Sequence, residues 1–341
     1  MRITRDHLLK IARDTAAQRV RVSRRLVSIY LTGSVLSEEP LLGGTTDIDL
    51  VCIHDSEPLQ AREVVRLNDE ISLDISHYAQ DLFRQPRHLR LDPWLGPILY
   101  NKPLLLHDTA HWFEFTQAST GAQFLQADNV LARARSLSNA ARARWMQMAF
   151  NPPETHPRRV YGFLKSLEEA GNAVAVLSGL PLTERRFLLQ FRQRATAIQR
   201  PELAPAFENL LAGGAEVSDE DWQALTAAWE AAYQAAGQAE DCPPRLHPAR
   251  RWYYQRAFNT LWAETPNAAF WILLRTWTQA VYHLPGGHPD YAPWLEACRL
   301  CGLGKDGFAA RMEGLDKFLD ATEEALDTWG ARNGVSTTPE I

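Results

Sequence analysis

Two aspartates separated by one residue, Asp47 and Asp49, open a stretch that alternates polar and apolar side chains over 47–53. In an extended chain, residues i and i+2 project from the same face of a strand, so both carboxylates are expected to point the same way. Two carboxylates held this close repel each other, and a bound cation removes that repulsion. The pattern predicts a strand with a cation-binding acidic pair. Mg²⁺ suits hard oxygen ligands that leave room for phosphate oxygens.

A third aspartate, Asp74, lies in a second alternating stretch over 71–76. Between the two predicted strands, residues 58–70 are predicted to form a helical segment. If the two strands are neighbours in one sheet, Asp74 meets the acidic pair. Three carboxylates then suffice for two metal ions, which polarise the attacking oxygen and the leaving phosphate.

A turn between two predicted strands supplies groups that suit phosphate. The stretch over 27–33 is rich in β-branched and aromatic residues and ends at Gly33, as a buried strand running into a turn would. Glycine lets backbone N–H groups approach a phosphate closely, and the hydroxyl of the following Ser34 adds a donor. We therefore expect a phosphate-binding turn and the metal ligands at one edge of the sheet.

These motifs resemble the signature of the DNA polymerase β superfamily of nucleotidyltransferases: Gly33-Ser34, Asp47-Ile48-Asp49-Leu50 and Leu73-Asp74-Ile75. The resemblance covers residues 20–110, under a third of the chain. It implies a small mixed sheet flanked by helices, Mg²⁺ as cofactor, and transfer of a nucleoside monophosphate to a hydroxyl. By the same resemblance Ser34 contacts the triphosphate beside Gly33, Asp47 and Asp49 hold the metals, and Asp74 is a third ligand or the base.

The length of 341 residues exceeds one minimal catalytic domain and predicts two domains with their own cores. We expect an α+β chain, with a nucleotidyltransferase domain and its small mixed β-sheet over 1–115. A fourth strand is predicted over 102–108. Helical patterns over 118–150 and 158–178, followed by further helices as far as 330, predict an all-α substrate-binding domain over 116–335.

Composition limits the class of protein and its surroundings. Apolar residues make up 45% and charged residues 23%, with no apolar run of about 20 residues that could span a bilayer. The N-terminus does not have the pattern of a signal peptide, which predicts a cytoplasmic protein without a membrane partner. The four cysteines, including one Cys-x-x-Cys at 298–301, are predicted to be ordinary reduced thiols. A net charge of −5 argues against a dedicated nucleic-acid binder.

The acceptor of the nucleotidyl group is inferred from layout and charge. The chain holds 36 basic and 41 acidic side chains, of which 18 and 17 lie in 1–150, so residues 151–341 hold 18 basic and 24 acidic ones. A nucleotidyltransferase domain followed by an acidic helical domain is similar in layout to the aminoglycoside nucleotidyltransferases. This layout predicts transfer of AMP from Mg-bound ATP to a small acceptor, with a cationic one such as an aminoglycoside as the leading expectation.

Other interpretations remain open at this stage. Glu168 and Glu169, on the helix predicted over 158–178, are candidates for an additional base, although solvated helix positions are the favoured interpretation. The acceptor is alternatively a protein or RNA partner, as in toxin–antitoxin nucleotidyltransferases, with the basic and aromatic stretch over 250–256 as the contact surface. For that stretch we favour core aromatics with arginines on the outer face. A third alternative is a non-catalytic nucleotide-binding regulator, which binds triphosphate without releasing pyrophosphate.

Overall fold

The computed structural model describes residues 3–213, 217–240 and 242–335. Within these ranges the predicted α+β class is confirmed, with one mixed sheet in the N-terminal half and helices after it. The chain divides into two compact units, residues 1–126 and 127–341. The predicted boundary at 115/116 falls inside a helix of the first unit, and the role given to each domain stays a prediction.

The first unit contains every strand of the described sheet. Its strands are β1 (Leu26–Thr32), β2 (Thr46–His54), β3 (Arg62–Arg66), β4 (Ile71–Ala79) and β5 (Leu104–Asp108). Its helices are α1 (Arg5–Val22), α2 (Pro86–Leu91), α3 (Leu95–Tyr100) and α4 (Trp112–Gly121).

The five strands lie in the order β3-β4-β2-β1-β5. Strands β2 and β4 run parallel, while β1 is antiparallel to both β2 and β5. Strand β3 pairs antiparallel with β4 at one edge. The central parallel pair carries the acidic residues, because β2 contributes Asp47 and Asp49 and β4 contributes Asp74.

The helix predicted over 58–70 is wrong, because this stretch contains β3. Val64 and Val65 at its centre are β-branched and suit a pleated, half-buried strand better than a helix. The turn that follows is fixed by Asn68, whose side-chain oxygen accepts hydrogen bonds from the backbone N–H groups of Glu70 and Ile71, each at 2.8 Å. Strands β3 and β4 therefore form a hairpin instead of a strand–helix–strand unit.

The two faces of the sheet bury different apolar clusters. Helix α1 places Leu8 and Ala12 against one face, where they pack on Ile48, Leu50 and other side chains of the central strands. A second apolar cluster is buried on the opposite face. Its members include Tyr30, Val51, Phe83, Leu89, Leu99 and Phe113. Residues of odd number on β2 project to this second face. Asp47 and Asp49 therefore lie on the face away from α1.

The second unit is helical throughout its described residues. Its α-helices are α5 (Ala127–Phe150), α6 (His156–Ala175), α7 (Phe187–Ala197), α8 (Leu203–Ala212), α9 (Asp219–Ala236), α10 (Arg251–Trp262), α11 (Pro266–His283), α12 (Tyr291–Leu300) and α13 (Phe308–Arg332). Helix α6 packs against α5, α11 and α13. Four tryptophans are completely buried in this unit: Trp229, Trp271, Trp277 and Trp294. The helical core thus accounts for much of the tryptophan content of the sequence.

All four cysteines are free thiols, and three of them, Cys52, Cys298 and Cys301, are buried. Burial raises the pKa of Cys52 and of Cys301 to about 12, so both stay protonated near neutral pH. The structure thus agrees with ordinary reduced thiols. Among the described helices, none combines the length and the apolar character needed to cross a membrane.

Candidate active site

The acidic pair occupies one end of the central strand β2. Asp47 is 3% exposed and Asp49 is half-buried. Their positions follow from the alternation in the sequence, because the intervening Ile48 and the following Leu50 are buried on the α1 face. The apolar residues anchor the strand, and both carboxylates are held on the opposite face.

Asp74 reaches this pair through the parallel register of β2 and β4. Asp49 is directly paired with Asp74, and Asp47 with Ser72. One carboxylate oxygen from each of Asp47, Asp49 and Asp74 lies within 4.8 Å of the other two. Asp74 is 2% exposed. The structure therefore brings the three predicted carboxylates together at one end of the sheet.

The Gly33-Ser34 turn lies beside the acidic cluster. Strand β1 ends at Thr32, which pairs with Asp49, so the following Gly33 is next to that carboxylate. Gly33 has φ of 79°, and a Cβ atom built on it would be only 1.9 Å from Oδ2 of Asp49. Both its backbone conformation and the close approach of Asp49 require glycine here.

Ser34 begins a short 3₁₀ turn over Ser34–Leu36. Its hydroxyl oxygen lies 3.2 Å from the hydroxyl oxygen of Thr46, and Thr46 in turn donates to the backbone carbonyl of Asp47 at 3.1 Å. Thr46 immediately precedes the acidic pair. A short hydroxyl network therefore connects the predicted phosphate-binding turn to the strand that carries the carboxylates.

Arg62 is part of the site and was missed by sequence reasoning. It lies on β3 and donates from Nε and Nη2 to the two oxygens of Asp74, at 2.6 and 2.5 Å. This two-point contact holds the Asp74 carboxylate in one orientation. The stretch Arg-Glu-Val-Val-Arg contained a usable signal, since alternation places Arg62 and Val64 on one face. Because residues 58–70 were predicted to be helical, the place of Arg62 on this strand face was not predicted.

The donor set fits a hard divalent cation such as Mg²⁺. Three carboxylates with two nearly buried members repel one another, and a divalent ion is the group that offsets this repulsion. Arg62 offsets part of the charge of Asp74. A carboxylate oxygen has two lone pairs, so Asp74 can accept from Arg62 and still contact a metal. Asp47 and Asp49 are thus the primary ligand candidates and Asp74 the oriented third carboxylate.

Glu168 and Glu169 do not have the solvated positions that sequence reasoning favoured. They lie on α6 and are 4% and 7% exposed. Glu168 accepts from Nη2 of Arg275 at 2.6 Å and from Nζ of Lys165 at 2.9 Å, whereas Glu169 pairs with Arg144 at 3.2 Å. A helical pattern identifies the face of a residue but not a partner far along the chain, which is why this burial was not predicted.

The pKa of Glu168 makes it a poor base. Burial by itself would raise this pKa, but the positive charges of Arg275, Lys165 and Arg245 outweigh burial and lower it. A carboxylate stabilised in its charged form has little tendency to accept a proton. Glu168 is therefore better explained as part of a buried ion-pair network.

The stretch over 250–256 does not form an exposed basic and aromatic surface. Arg250 is 4% exposed, and Tyr254 is completely buried with its hydroxyl donating to Glu184 at 2.9 Å. Arg251 is half-buried and pairs with Glu230. The prediction of core aromatics holds for Tyr254, whereas the placement of Arg250 on the outer face is wrong because its guanidinium packs against Tyr253 and Tyr254.

Comparisons with known proteins add little to this geometry. No protein-family model matches the chain, and no curated protein matches it. Among solved structures, the chain is similar to a nucleotidyltransferase-like protein from Exiguobacterium sibiricum, with a TM-score of 0.32 and 11% identity over 98% of this chain and 96% of that one. A similarity at this level carries no argument about the fold or the activity of the present chain.

Proposed function

We propose that the chain is a metal-dependent nucleotidyltransferase that moves a nucleoside monophosphate from a triphosphate to a hydroxyl. The observation that carries this proposal is the convergence of Asp47, Asp49 and Asp74 within 4.8 Å beside a glycine turn. Carboxylates alone are a common surface feature. The near-complete burial of two of them, Asp47 and Asp74, next to a turn that accepts only glycine is much less common and supports a built site.

In the reaction, the acceptor oxygen bonds to the α-phosphorus while the bond from that phosphorus to the oxygen bridging to the β-phosphate breaks. Pyrophosphate leaves, and the hydroxyl proton passes to solvent water. Mg²⁺, as two ions, would supply Lewis-acid stabilisation of the developing charge when bound. Asp47, Asp49 and Asp74 would hold the ions, and Ser34 would donate to the triphosphate beside Gly33.

Asp74 is the third metal ligand in this proposal, because its ion pair with Arg62 favours the charged carboxylate that a cation also needs. Arg62 fixes its orientation through two hydrogen bonds and so acts as a positioning residue. Asp74 is buried on the same face as the acidic pair, so its carboxylate can share a cation with Asp47 and Asp49. Glu168 and Glu169 are not needed, because both are neutralised by cationic partners.

The nucleotide is proposed to be ATP, so that AMP is transferred, and the acceptor to be a small molecule. The acidic character of the helical domain is partly neutralised, since Glu208 pairs with Arg192 at 3.0 Å and Glu230 pairs with Arg251. Asp219 and Glu220 at the start of α9 remain exposed. An aminoglycoside is therefore one member of the acceptor panel to be tested and not its sole member.

The test is Mg-dependent release of pyrophosphate from each ribonucleoside triphosphate, with aminoglycosides, neutral polyols and sugar phosphates as acceptors. Asp47→Asn and Asp49→Asn should each lower turnover by at least about 100-fold, because each removes a metal ligand. Asp55→Asn is the matched control, since Asp55 is exposed just beyond the other end of β2. Equal turnover in all these variants would refute the proposal.

A further inference from the structure

The second unit contains a cavity of about 920 Å³ that lies entirely within residues 154–309. Its wall is formed by the beginning of α6, the end of α11, the loop from Leu284 to His288, and the beginning of α13. This volume is within the range of sites that hold a small organic molecule. No residue of the acidic cluster lines the cavity, because the cluster belongs to the first unit and the cavity to the second.

The charge of the cavity wall is opposite to that of the chain. Arg158, Arg159 and Lys305 line it, against the single carboxylate of Glu154. The chain as a whole has a net charge of −5, and residues 151–341 contain more acids than bases. The residues that line the cavity thus include three cationic side chains and one carboxylate, although the chain has a net negative charge. This excess of positive charge favours a negatively charged ligand.

Two of these cations are available to a ligand. Arg158 and Lys305 are exposed, and within the described parts of the chain neither forms an ion pair. Arg158 instead lies over the ring of Tyr282, with its guanidinium carbon 5.6 Å from the ring centroid. Arg159 donates from Nε to the carbonyl of Pro153 at 2.7 Å, which holds it against the wall.

The helix that enters this wall adds to the positive potential. Helix α6 has 20 residues, and the side chain of its N-cap residue, Thr155, makes no capping hydrogen bond. The first N–H groups of a helix carry partial positive charge and suit anions; Pro157 in this turn has no N–H, so α6 offers fewer such donors than most helices. Buried His156 in this turn does not add a charge, because its pKa is lowered, first by burial and further by the nearby charges of Arg159 and Lys305.

The rest of the wall is aromatic. Tyr282, Tyr291 and Phe308 line the cavity, and Phe308 packs against His156 with ring centroids 5.7 Å apart. Tyr282 also packs against Tyr161, at 5.1 Å between centroids. These rings offer faces on which a planar ligand group can stack, next to the cationic side chains.

We propose that this cavity binds a small organic phosphate that carries a planar ring, with the phosphate at Arg158, Lys305 and the first turn of α6 and the ring against Tyr282 and Phe308. A phosphate dianion uses more than one cation at once, and the aromatic wall excludes water from the ring. The site shares no residue with the proposed catalytic centre, and the proposal does not rest on nucleotidyl transfer.

The test is calorimetric titration of the full chain with phenyl phosphate, inorganic phosphate, phenol and benzylamine in buffer without divalent metal. Phenyl phosphate should bind at least about tenfold more tightly than inorganic phosphate or phenol, because only it uses both the cations and the rings. Benzylamine, which has the ring with a positive charge, should not bind.

Variants locate the binding. Arg158→Gln and Lys305→Gln should each weaken phenyl phosphate binding about five- to tenfold, and the double variant should lose most of it. Both residues are exposed, so the variants should unfold at the same temperature as the wild type. Lys317→Gln, on an exposed part of α13 outside the cavity, is the matched control with unchanged binding. Absence of phenyl phosphate binding, equal binding by the double variant, or tighter binding of benzylamine would overturn the proposal.

Discussion

Substituting Gly33 by alanine perturbs the acidic cluster without removing any carboxylate. Gly33 combines φ of 79° with ψ of −160°, a backbone conformation that is essentially confined to glycine, and alanine there is strained by about 1–3 kcal/mol. The new Cβ would also lie 1.9 Å from Oδ2 of Asp49, where 3.0 Å is the least separation that real structures show. The Asp49 carboxylate must therefore move by at least the difference, 1.1 Å.

Moving the Asp49 carboxylate by this distance should lower the rate of catalysis, whereas the loss of folding stability should come from the backbone strain at position 33. Misplacing a catalytic group by about 1 Å can lower a rate by about 100-fold, so we expect Gly33→Ala to lose about that factor in Mg-dependent pyrophosphate release. Its free energy of unfolding in urea should fall by about 1–3 kcal/mol, which is the backbone strain alone. The affinity for Mn²⁺ should fall too, because Asp49 no longer has its position beside Asp47.

Gly44 provides the matched control. It also has a positive φ, 71°, but a Cβ built there meets no atom within 4 Å. Gly44→Ala should therefore lose about 1 kcal/mol or more of stability while keeping wild-type turnover and Mn²⁺ affinity. The reasoning is refuted if Gly33→Ala retains wild-type turnover, or if both variants lose turnover to the same extent.

Three further predictions concern residues around and away from the site. Arg62→Gln removes both hydrogen bonds to Asp74 and should lower kcat by about tenfold or more with little change in KM for the triphosphate, measured by steady-state kinetics; a change in KM alone would contradict it. Glu168→Gln leaves buried Arg275 without its anionic partner and should lower the free energy of unfolding by about 3 kcal/mol at pH 7. Because the folded pKa of Glu168 is lowered, its contribution is present above the unfolded value of about 4.3 and is lost as pH falls through the folded pKa, so the difference between variant and wild type in urea unfolding should shrink on acidification; a constant difference would contradict this. Cys242 is the one cysteine that is not buried, so alkylation of the native protein should label one thiol rapidly, and rapid labelling of more would show that the buried thiols are accessible.

The acidic pair could be predicted from the sequence because a local rule determines it. In a strand, alternation places Asp47 and Asp49 together whatever the rest of the chain does, and Ile48 and Leu50 between and after them identify the buried face. The glycine turn was also recognisable, since Gly33 ends a β-rich stretch. The convergence of Asp74 depended on an assumption, that its strand adjoins the pair, and the parallel register of β2 and β4 supplied that contact.

The features that the sequence did not predict depend on partners distant in the chain or on weak local patterns. Strand β3 is short and rich in charge, so its two valines are too weak a pattern to predict a strand. Without that strand, the contact of Arg62 with the acidic cluster could not be predicted. Glu168 meets Arg275 107 positions later, and helical spacing contains no information about such a partner. The buried charges of the helical unit thus follow from tertiary packing, which local propensity does not determine.

Electron paramagnetic resonance can count the Mn²⁺ ions bound per chain, with and without a non-hydrolysable ATP analogue. We expect weak binding to the free protein and two ions per chain with the analogue, both lost in the Asp47→Asn, Asp49→Asn double variant and kept in Asp55→Asn. Equal Mn²⁺ binding by the wild type and the double variant would contradict the assignment of the acidic cluster as a metal and triphosphate site.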